Sequence, residues 1–600
     1  MRFENHWRIL RCDNILPRFV AVALACVPAL ALAQAAPPLA ARTLPTREEI
    51  EPDRRLASPP QRTRLAVEGD IERSPCALAD PAYAAIKVKL TAVTFNNLGP
   101  VDVADLLPTY SALLGTEQPI SIVCEIRDAA ATVLRRQGYL AAVQVPTQRI
   151  EDGKVRFEIL FAKLTAIRVR GDAGRAEKLI ASYLDHLADG QVFNRVTAER
   201  YLLLARDIPG FDVRLALKPT GTTPGDMIGE VSVRRTPLEV DASIQNYAPQ
   251  ETGRFGGQVR AQFYGLTGLG DRTMISAYTT ADFQEQQVVQ AAHDMAIGGE
   301  GLRFGGRATF AWTHPGLGDT IPDVIARTLF ANLELSYPFV RSQAFSLTGA
   351  GGLDFVNQRV RFAGLPLSLD RLRVGYLRLD GEAVDLRGVG PGGTTGWHVT
   401  GSLELRRGVS VFDSSRGCGP GGVRCAVAGF VPPSLVDGNP DATVLRFTGL
   451  AEVRFTRQLT LVLQPRLQYS SSALFAFEQY SAGNYTIGRG YDPGALTGDS
   501  GAGLSTEVRL DRLNVWPKAE ISAQPYAFVD AAWVWNRNSL AGVDPERLVS
   551  IGGGARLTFA ERARLDLTVA VPVESAGGIR SGDVRVLLSL TTRLLPWRNR

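Results

Sequence analysis

Leu445-Arg446-Phe447-Thr448-Gly449-Leu450-Ala451-Glu452-Val453-Arg454-Phe455 changes character at nearly every residue. Leu445, Phe447, Ala451, Val453 and Phe455 fall on one face of an extended chain. Arg446, Thr448, Glu452 and Arg454 fall on the other, because side chains alternate with a period of two along a strand. The pattern recurs on both sides. Leu504, Val508 and Leu510 oppose Ser505, Glu507 and Arg509; Leu565, Leu567, Val569 and Val571 oppose Arg564, Asp566 and Thr568. After Pro237 no helical period survives, and sixteen alternating segments begin near 238, 253, 272, 285, 300, 325, 343, 371, 395, 442, 459, 501, 521, 546, 562 and 582. A soluble β-sandwich alternates too, but rarely needs about 360 residues of continuous meander. An apolar face turned to lipid and a charged face lining a wet lumen account for the pattern, and an even strand number is what closed outer-membrane barrels prefer. With the first strand starting on the periplasmic side, loops after odd strands face outward and are expected to be the longer ones. The two longest, 411–441 and 472–500, follow the ninth and eleventh strands.

Working outward, residues 77–237 have a mixed α+β texture that occurs twice. Ile86–Phe95 alternates as a strand, Val103–Gly115 and Pro119–Gly138 have helical spacing, and Ala141–Ile150 and Lys154–Leu160 read as strands joined by Glu151-Asp152-Gly153, a hairpin signal. The order repeats in Leu164–Arg170, Ala176–Ala188, Val196–Asp207, Phe211–Lys218 and Ile228–Arg234. Each such unit exposes a strand edge able to accept an extended partner. Residues 34–75 are rich in Pro, Ala and Arg and read as a linker; Thr46–Ala57 has helical character interrupted by Pro52.

At the N-terminus Arg8, Arg11 and Arg18 precede an apolar run, Phe19–Ala33, ending in the small-residue site Ala31-Leu32-Ala33. This reads as a signal peptide over residues 1–33. A lipoprotein reading of Ala23-Leu24-Ala25-Cys26 is disfavoured because the apolar run continues past the cysteine. Once the signal is gone Cys76, Cys124, Cys418 and Cys425 remain, an even number suited to an oxidising compartment, and the closest-spaced pairing is Cys76–Cys124 and Cys418–Cys425. Zinc is the competing use, but neither pair has zinc-knuckle spacing and no histidine is near. The five histidines are scattered, the net charge of +5 is small, and there is no P-loop, no nucleophile–base signature and no basic tract for nucleic acid. Neither a cofactor nor a metal is expected, and the chain does not read as an enzyme.

One loop stands out. Ile487-Gly488-Arg489-Gly490-Tyr491 sets an arginine between two glycines within the Gly/Ser/Asn-rich stretch 472–501. Such a tip is narrow enough to reach into a cavity, and its guanidinium can grip a carboxylate with two parallel hydrogen bonds. An ordinary Gly-rich surface loop has the same composition.

In these features the chain resembles the outer-membrane transporters of two-partner secretion, the haemolysin- and adhesin-secreting branch of the POTRA-plus-barrel superfamily. The likeness spans nearly the whole mature chain. It rests on Cys76 and Cys124, Gly138-Tyr139, Val145-Pro146-Thr147-Gln148 and Gly153-Lys154-Val155 in the first α+β unit. It continues through Ile208-Pro209-Gly210-Phe211 in the second, and Asn246, Thr252-Gly253-Arg254 and Gly268-Leu269-Gly270-Asp271 at the barrel entrance. The resemblance implies a signal peptide (1–33), a linker or plug segment (34–75), POTRA domain 1 (76–163), POTRA domain 2 (164–237) and a barrel of about sixteen antiparallel strands (238–600). It implies that Gly488, Arg489, Gly490 and Tyr491 form a loop tip folded into the lumen. The family's Phe-x-Asp-x-Gly wall motif corresponds to Phe528, Asp530 and Ala532, with alanine for the last glycine; the alternation puts these three on the lumen face and Val529, Trp533 and Trp535 on the lipid face. It further implies a Gram-negative outer-membrane location with the POTRA domains in the periplasm. The implied partners are an unfolded, haemolysin- or adhesin-like exoprotein, outer-membrane lipids, periplasmic chaperones and the barrel-assembly machinery. The alternative within the superfamily is a factor that inserts other barrel proteins, whose members usually carry more POTRA domains than the two visible here. The chain ends Leu594-Leu595-Pro596-Trp597-Arg598-Asn599-Arg600, where family members often end on an aromatic residue.

Overall fold

Sixteen antiparallel strands close into a barrel in the computed structural model, which describes residues 46–50, 75–187, 192–220, 225–316, 322–385, 396–419, 422–456, 458–537, 544–560 and 562–596. The signal-peptide reading and most of the linker lie outside these residues. In order the strands are Leu238–Gln245, Gly256–Tyr264, Arg272–Thr280, Gln286–Ile297, Leu302–Thr313, Val324–Arg341, Phe345–Phe362, Leu365–Val384, Trp397–Gly408, Thr443–Arg454, Leu459–Ser470, Ser500–Leu510 with its continuation Leu513–Trp516, Ile521–Trp535, Glu546–Phe559, Ala563–Pro572 and Arg585–Leu595. The last pairs with the first from Ser589↔Gln245 to Leu595↔Val240, which closes the ring. A closed sheet leaves no unpaired backbone groups facing lipid. Among the described residues no helix is long and apolar enough to cross a membrane.

The alternation sorts the two wall surfaces. Leu333, Leu335, Leu377, Leu403, Leu445, Val529 and Ile551 are exposed on the outside. Asp354, Arg406, Glu507 and Asp530 point inward and are buried there by segments that fill the lumen. One barrel end carries the long loops, including 409–442 and 471–499. The other carries the α+β units.

Those units share one topology. In the first, Ala92–Asn96 runs parallel to Lys154–Phe161, which pairs antiparallel with Ala141–Gln144. The helix Ile122–Arg136 lays Ile122, Val123, Ile126, Ala130 and Leu134 onto this sheet. It ends at Gly138, whose positive φ of 90° lets the chain turn while Tyr139 N–H bonds back to Leu134. The expected helix over 103–115 is instead one turn, Val103–Leu106, followed by two 3-10 turns, with Pro108 in the first of them. The strand expected over 141–150 stops at Gln144, because Pro146 offers no N–H opposite Arg156. The Gln148 side chain takes over: its Oε1 accepts from Arg156 N at 2.8 Å and its Nε2 donates to Arg156 O at 2.7 Å. Cys76 and Cys124 are disulfide-bonded with Cα atoms 6.0 Å apart, tying the segment before this unit to its long helix. In the second unit Lys163–Gly171 runs parallel to Asp226–Arg235, which pairs antiparallel with Phe211–Pro219, under helices Glu177–Asp185 and Arg195–Arg206.

The second unit is docked on the turns between barrel strands two and seven. Arg341 grips Asp207 with two hydrogen bonds of 2.6 and 2.7 Å. Arg175 reaches Leu266 O at 2.7 Å, and Arg200 reaches Pro338 O at 3.0 Å. The Glu300 carboxylate accepts from Tyr201 at 3.1 Å and lies 2.9 Å from His186. The turn 265–271 fits because Gly268 and Gly270 lie where a Cβ would collide with Arg175 and Leu179. Asp271, fully buried, holds that turn through Leu266 N, Thr267 N and the Thr267 hydroxyl. Burial works against its charge, but these hydrogen bonds outweigh burial and hold the carboxyl below its usual range.

Candidate functional site

The loop after the eleventh strand does not stand out from the barrel; it folds back into the lumen. Tyr480–Ala482 pairs with Leu496–Gly498, and the chain between them forms the tip. Gly483 and Gly488 have φ of 147° and 125°, which only glycine adopts freely. A Cβ on Gly488 would lie 2.7 Å from Leu548, and one on Gly490 2.7 Å from Ser550. The two glycines flanking Arg489 therefore let the backbone lie flat against the wall.

Arg489 meets the thirteenth strand. Its Nε donates to Asp530 Oδ2 at 2.9 Å and its Nη2 to Asp530 Oδ1 at 2.8 Å, a forked pair, while Arg489 N adds a third bond at 3.0 Å. Nη1 reaches Glu507 at 2.8 Å and Nη2 reaches Ser505 at 2.9 Å. The guanidinium carbon sits 3.5 Å from the centre of the Phe528 ring. Asp530 is 1% exposed. Tyr491 is fully buried and its hydroxyl bonds Glu574 O at 2.7 Å and Val549 O at 2.8 Å, pinning the tip to the fourteenth strand and the loop after the fifteenth. Phe528, Asp530 and Ala532 all face inward. Ala532 lies opposite Gly503, and Gly503 is where a Cβ would meet Tyr480 and Ile487. Small residues on both strands thus make room for the loop. The network continues from Glu507 to Arg556 at 2.6 Å, and from Arg509 to Glu452 at 2.8 Å.

A second occupant fills the opposite side of the lumen. Residues Arg47–Ile50 form one helical turn inside the barrel. Thr46 and Glu49 make half of a capping box, with the Glu49 carboxylate accepting from Thr46 N at 2.5 Å. Ile50 is fully buried among Tyr278, Phe330, Val356, Leu372 and Phe477. Arg47 lies 3.3 Å from Asp354 and 3.9 Å from Glu478, and Glu48 pairs with Arg466. Beneath it Arg406, 1% exposed, donates to Glu478 at 3.0 and 2.8 Å and to Asp354 at 2.8 Å, and pairs with Glu404. Arg446 joins Glu478 at 2.9 Å. Three arginines and three carboxylates thus form one buried cluster joining the N-terminal turn, three strands and the loop residue Glu478.

Sequence reasoning placed Arg489 and Asp530 on the elements that bring them together, but missed this cluster. Arg406 pairs with residues 52 and 72 positions away, and no local pattern encodes that. Cys418 and Cys425 are bonded to each other, Cα atoms 5.1 Å apart, in the loop after the ninth strand.

The family profile described as haemolysin secretion/activation protein ShlB/FhaC/HecB matches residues 230–557. Two solved structures share the architecture. CdiB from Escherichia coli superposes with a TM-score of 0.69 at 16% identity, covering 88% of this chain and 94% of that one. CdiB from Acinetobacter baumannii superposes with a TM-score of 0.62 at 17% identity over the same shares. No curated protein matches the chain in sequence.

Proposed function

We propose that this chain, which belongs to the ShlB/FhaC/HecB family of haemolysin secretion/activation proteins, exports an unfolded exoprotein to the cell surface by two-partner secretion. It is an outer-membrane β-barrel transporter. The α+β units stand in the periplasm and take hold of the extended exoprotein by strand addition. The exoprotein then threads the barrel and folds outside. No nucleotide binding is called for, and the chain acts as a conduit, not an enzyme. Folding and capture outside supply direction.

The observation that carries this reading is that two segments of the chain itself occupy the lumen, each held to the wall by a charged cluster beside an apolar contact. A sixteen-strand wall encloses a lumen too wide for its own side chains to fill, so displacing these two segments opens a channel. A photo-crosslinking residue at Phe330, which faces inward, should capture the exoprotein in transit; the same residue at Leu333, which faces lipid, should not. Capture of outer-membrane barrel precursors in place of one large exoprotein would overturn the reading in favour of an insertion factor.

A further inference from the structure

The apolar belt on the outside of the barrel gives way, on strands six to eight, to a cluster of arginines. Towards the loop end, outward-facing Leu333 and Leu329 of the sixth strand are followed by Arg327. On the seventh strand Phe355 is followed by Arg359 and Arg361, and on the eighth Leu377 is followed by Arg373 and Arg371. The register sets Arg327 directly opposite Arg359, with Trp312 opposite Arg327 on the other side, and Asn357 opposite Arg371. Like charges facing each other across an antiparallel pair are destabilising. Arg327, Arg359 and Arg361 are exposed, and among the described residues none of the three has an ion-pair partner. Arg371 pairs with Asp413, and Arg373 donates to the carbonyls of Phe412, Val356 and Leu372. The nearby Asp323 lies against His314. The patch is thus strongly cationic, sits where the lipid-facing surface ends, and is bordered by an indole.

We propose that this patch binds the phosphate groups of an acylated, phosphorylated glycolipid in the outer leaflet, with the acyl chains lying along Leu329, Leu333 and Phe355 below. Guanidinium forks match phosphate oxygens with paired hydrogen bonds, and an anion between Arg327 and Arg359 relieves their repulsion. Phosphates of the outer leaflet lie at the level where the apolar wall stops, which a soluble anion does not require. The inference rests on the orientation proposed above, with the long loops outside.

The test uses the full-length protein, purified in mild detergent and incubated with bisphosphorylated lipid A, retained lipid being read by native mass spectrometry. The wild type should retain it. Arg327→Gln/Arg359→Gln/Arg361→Gln should lower retention at least about tenfold, as expected when several charge-assisted bonds are lost. Removing the same number of exposed arginines from the second α+β unit, Arg168→Gln/Arg170→Gln/Arg214→Gln, should not lower it. Equal retention by the patch variant, equal retention of dephosphorylated lipid A or of phosphatidylglycerol, or displacement by millimolar inorganic phosphate would each overturn the proposal. A heat-dependent shift in gel mobility reports barrel closure; if the triple variant does not close, Arg359→Gln alone carries the test, with loss of retention expected and unchanged retention contradicting the proposal. Whole-cell labelling of Leu365→Cys by an impermeant thiol reagent checks orientation separately. Labelling without lipid retention contradicts the lipid site alone, whereas failure to label contradicts the orientation.

Discussion

Arg489→Ala tests what the lumen loop is held by. The substitution removes both bonds of the fork to Asp530, the bond to Glu507, the bond to Ser505 and the stacking on Phe528. The two carboxylates left behind differ. Glu507 keeps Arg509 and Arg556 and stays compensated. Among the described residues Asp530 keeps only Ser505 and the backbone N–H of residue 489 in a site 1% exposed, so its charge is stranded. Stranding one member of a buried pair costs about 3–5 kcal/mol, and about 1.4 kcal/mol is a tenfold change in an equilibrium. Release of the tip should therefore become more frequent by roughly a hundred- to a few thousand-fold. Amide hydrogen exchange at Gly490 reads this directly, since its N–H donates to the Ser550 hydroxyl of the wall at 3.2 Å only while the loop is docked. Asp530→Ala should have the smaller effect, because Arg489 then still holds Glu507 and Ser505. Unchanged protection in Arg489→Ala, or a larger loss in Asp530→Ala, would refute the reasoning.

Three further outcomes follow from the same geometry. Arg47→Ala removes the ion pairs of the N-terminal turn to Asp354 and Glu478 and should raise single-channel conductance in a planar bilayer; unchanged conductance would mean that Ile50 and the Glu48–Arg466 pair seat the turn without Arg47. The Asp271 carboxyl titrates below the ordinary value of 3.8 in the folded chain, so its contribution is complete above that value and is lost only as pH falls through the lower folded value. Proteolysis within 265–271 should accordingly be constant from neutral pH down to about 4 and rise below it, whereas Asp271→Asn should show the loosened turn already at neutral pH. Cys76 and Cys124 are 48 positions apart and Cys418 and Cys425 only 7; loop-closure entropy gives about 4 and about 2.5 kcal/mol respectively, so removing the first bridge by serine substitution should shift denaturant unfolding of its unit more than removing the second shifts the barrel.

The barrel was legible because a wall with lipid on one side and water on the other forces a period of two over every membrane-crossing stretch. Where that constraint lapses the reading slips. The eighth strand was expected near 371 but begins at Leu365, because its end rises beyond the apolar belt and Arg371 and Arg373 point outward where an apolar residue would have marked it. The lumen contents were legible only in part. Gly-Arg-Gly announces a narrow tip, and the inward parity of Asp530 supplies a partner. The seating of residues 47–50 had one local signal, Thr46 with Glu49 three residues on, overshadowed by Pro52. The cluster around Arg406 left none, since inward charges are expected on every strand and their pairing is decided by register and by which loop folds in.

Comparing surface and released proteins of the producing bacterium with and without this chain measures the central claim most directly. Export of one dedicated partner predicts that a single large exoprotein disappears from the outside while the outer-membrane barrel proteins stay at normal levels. A broad fall in barrel proteins, or an unchanged set of exported proteins, would contradict it.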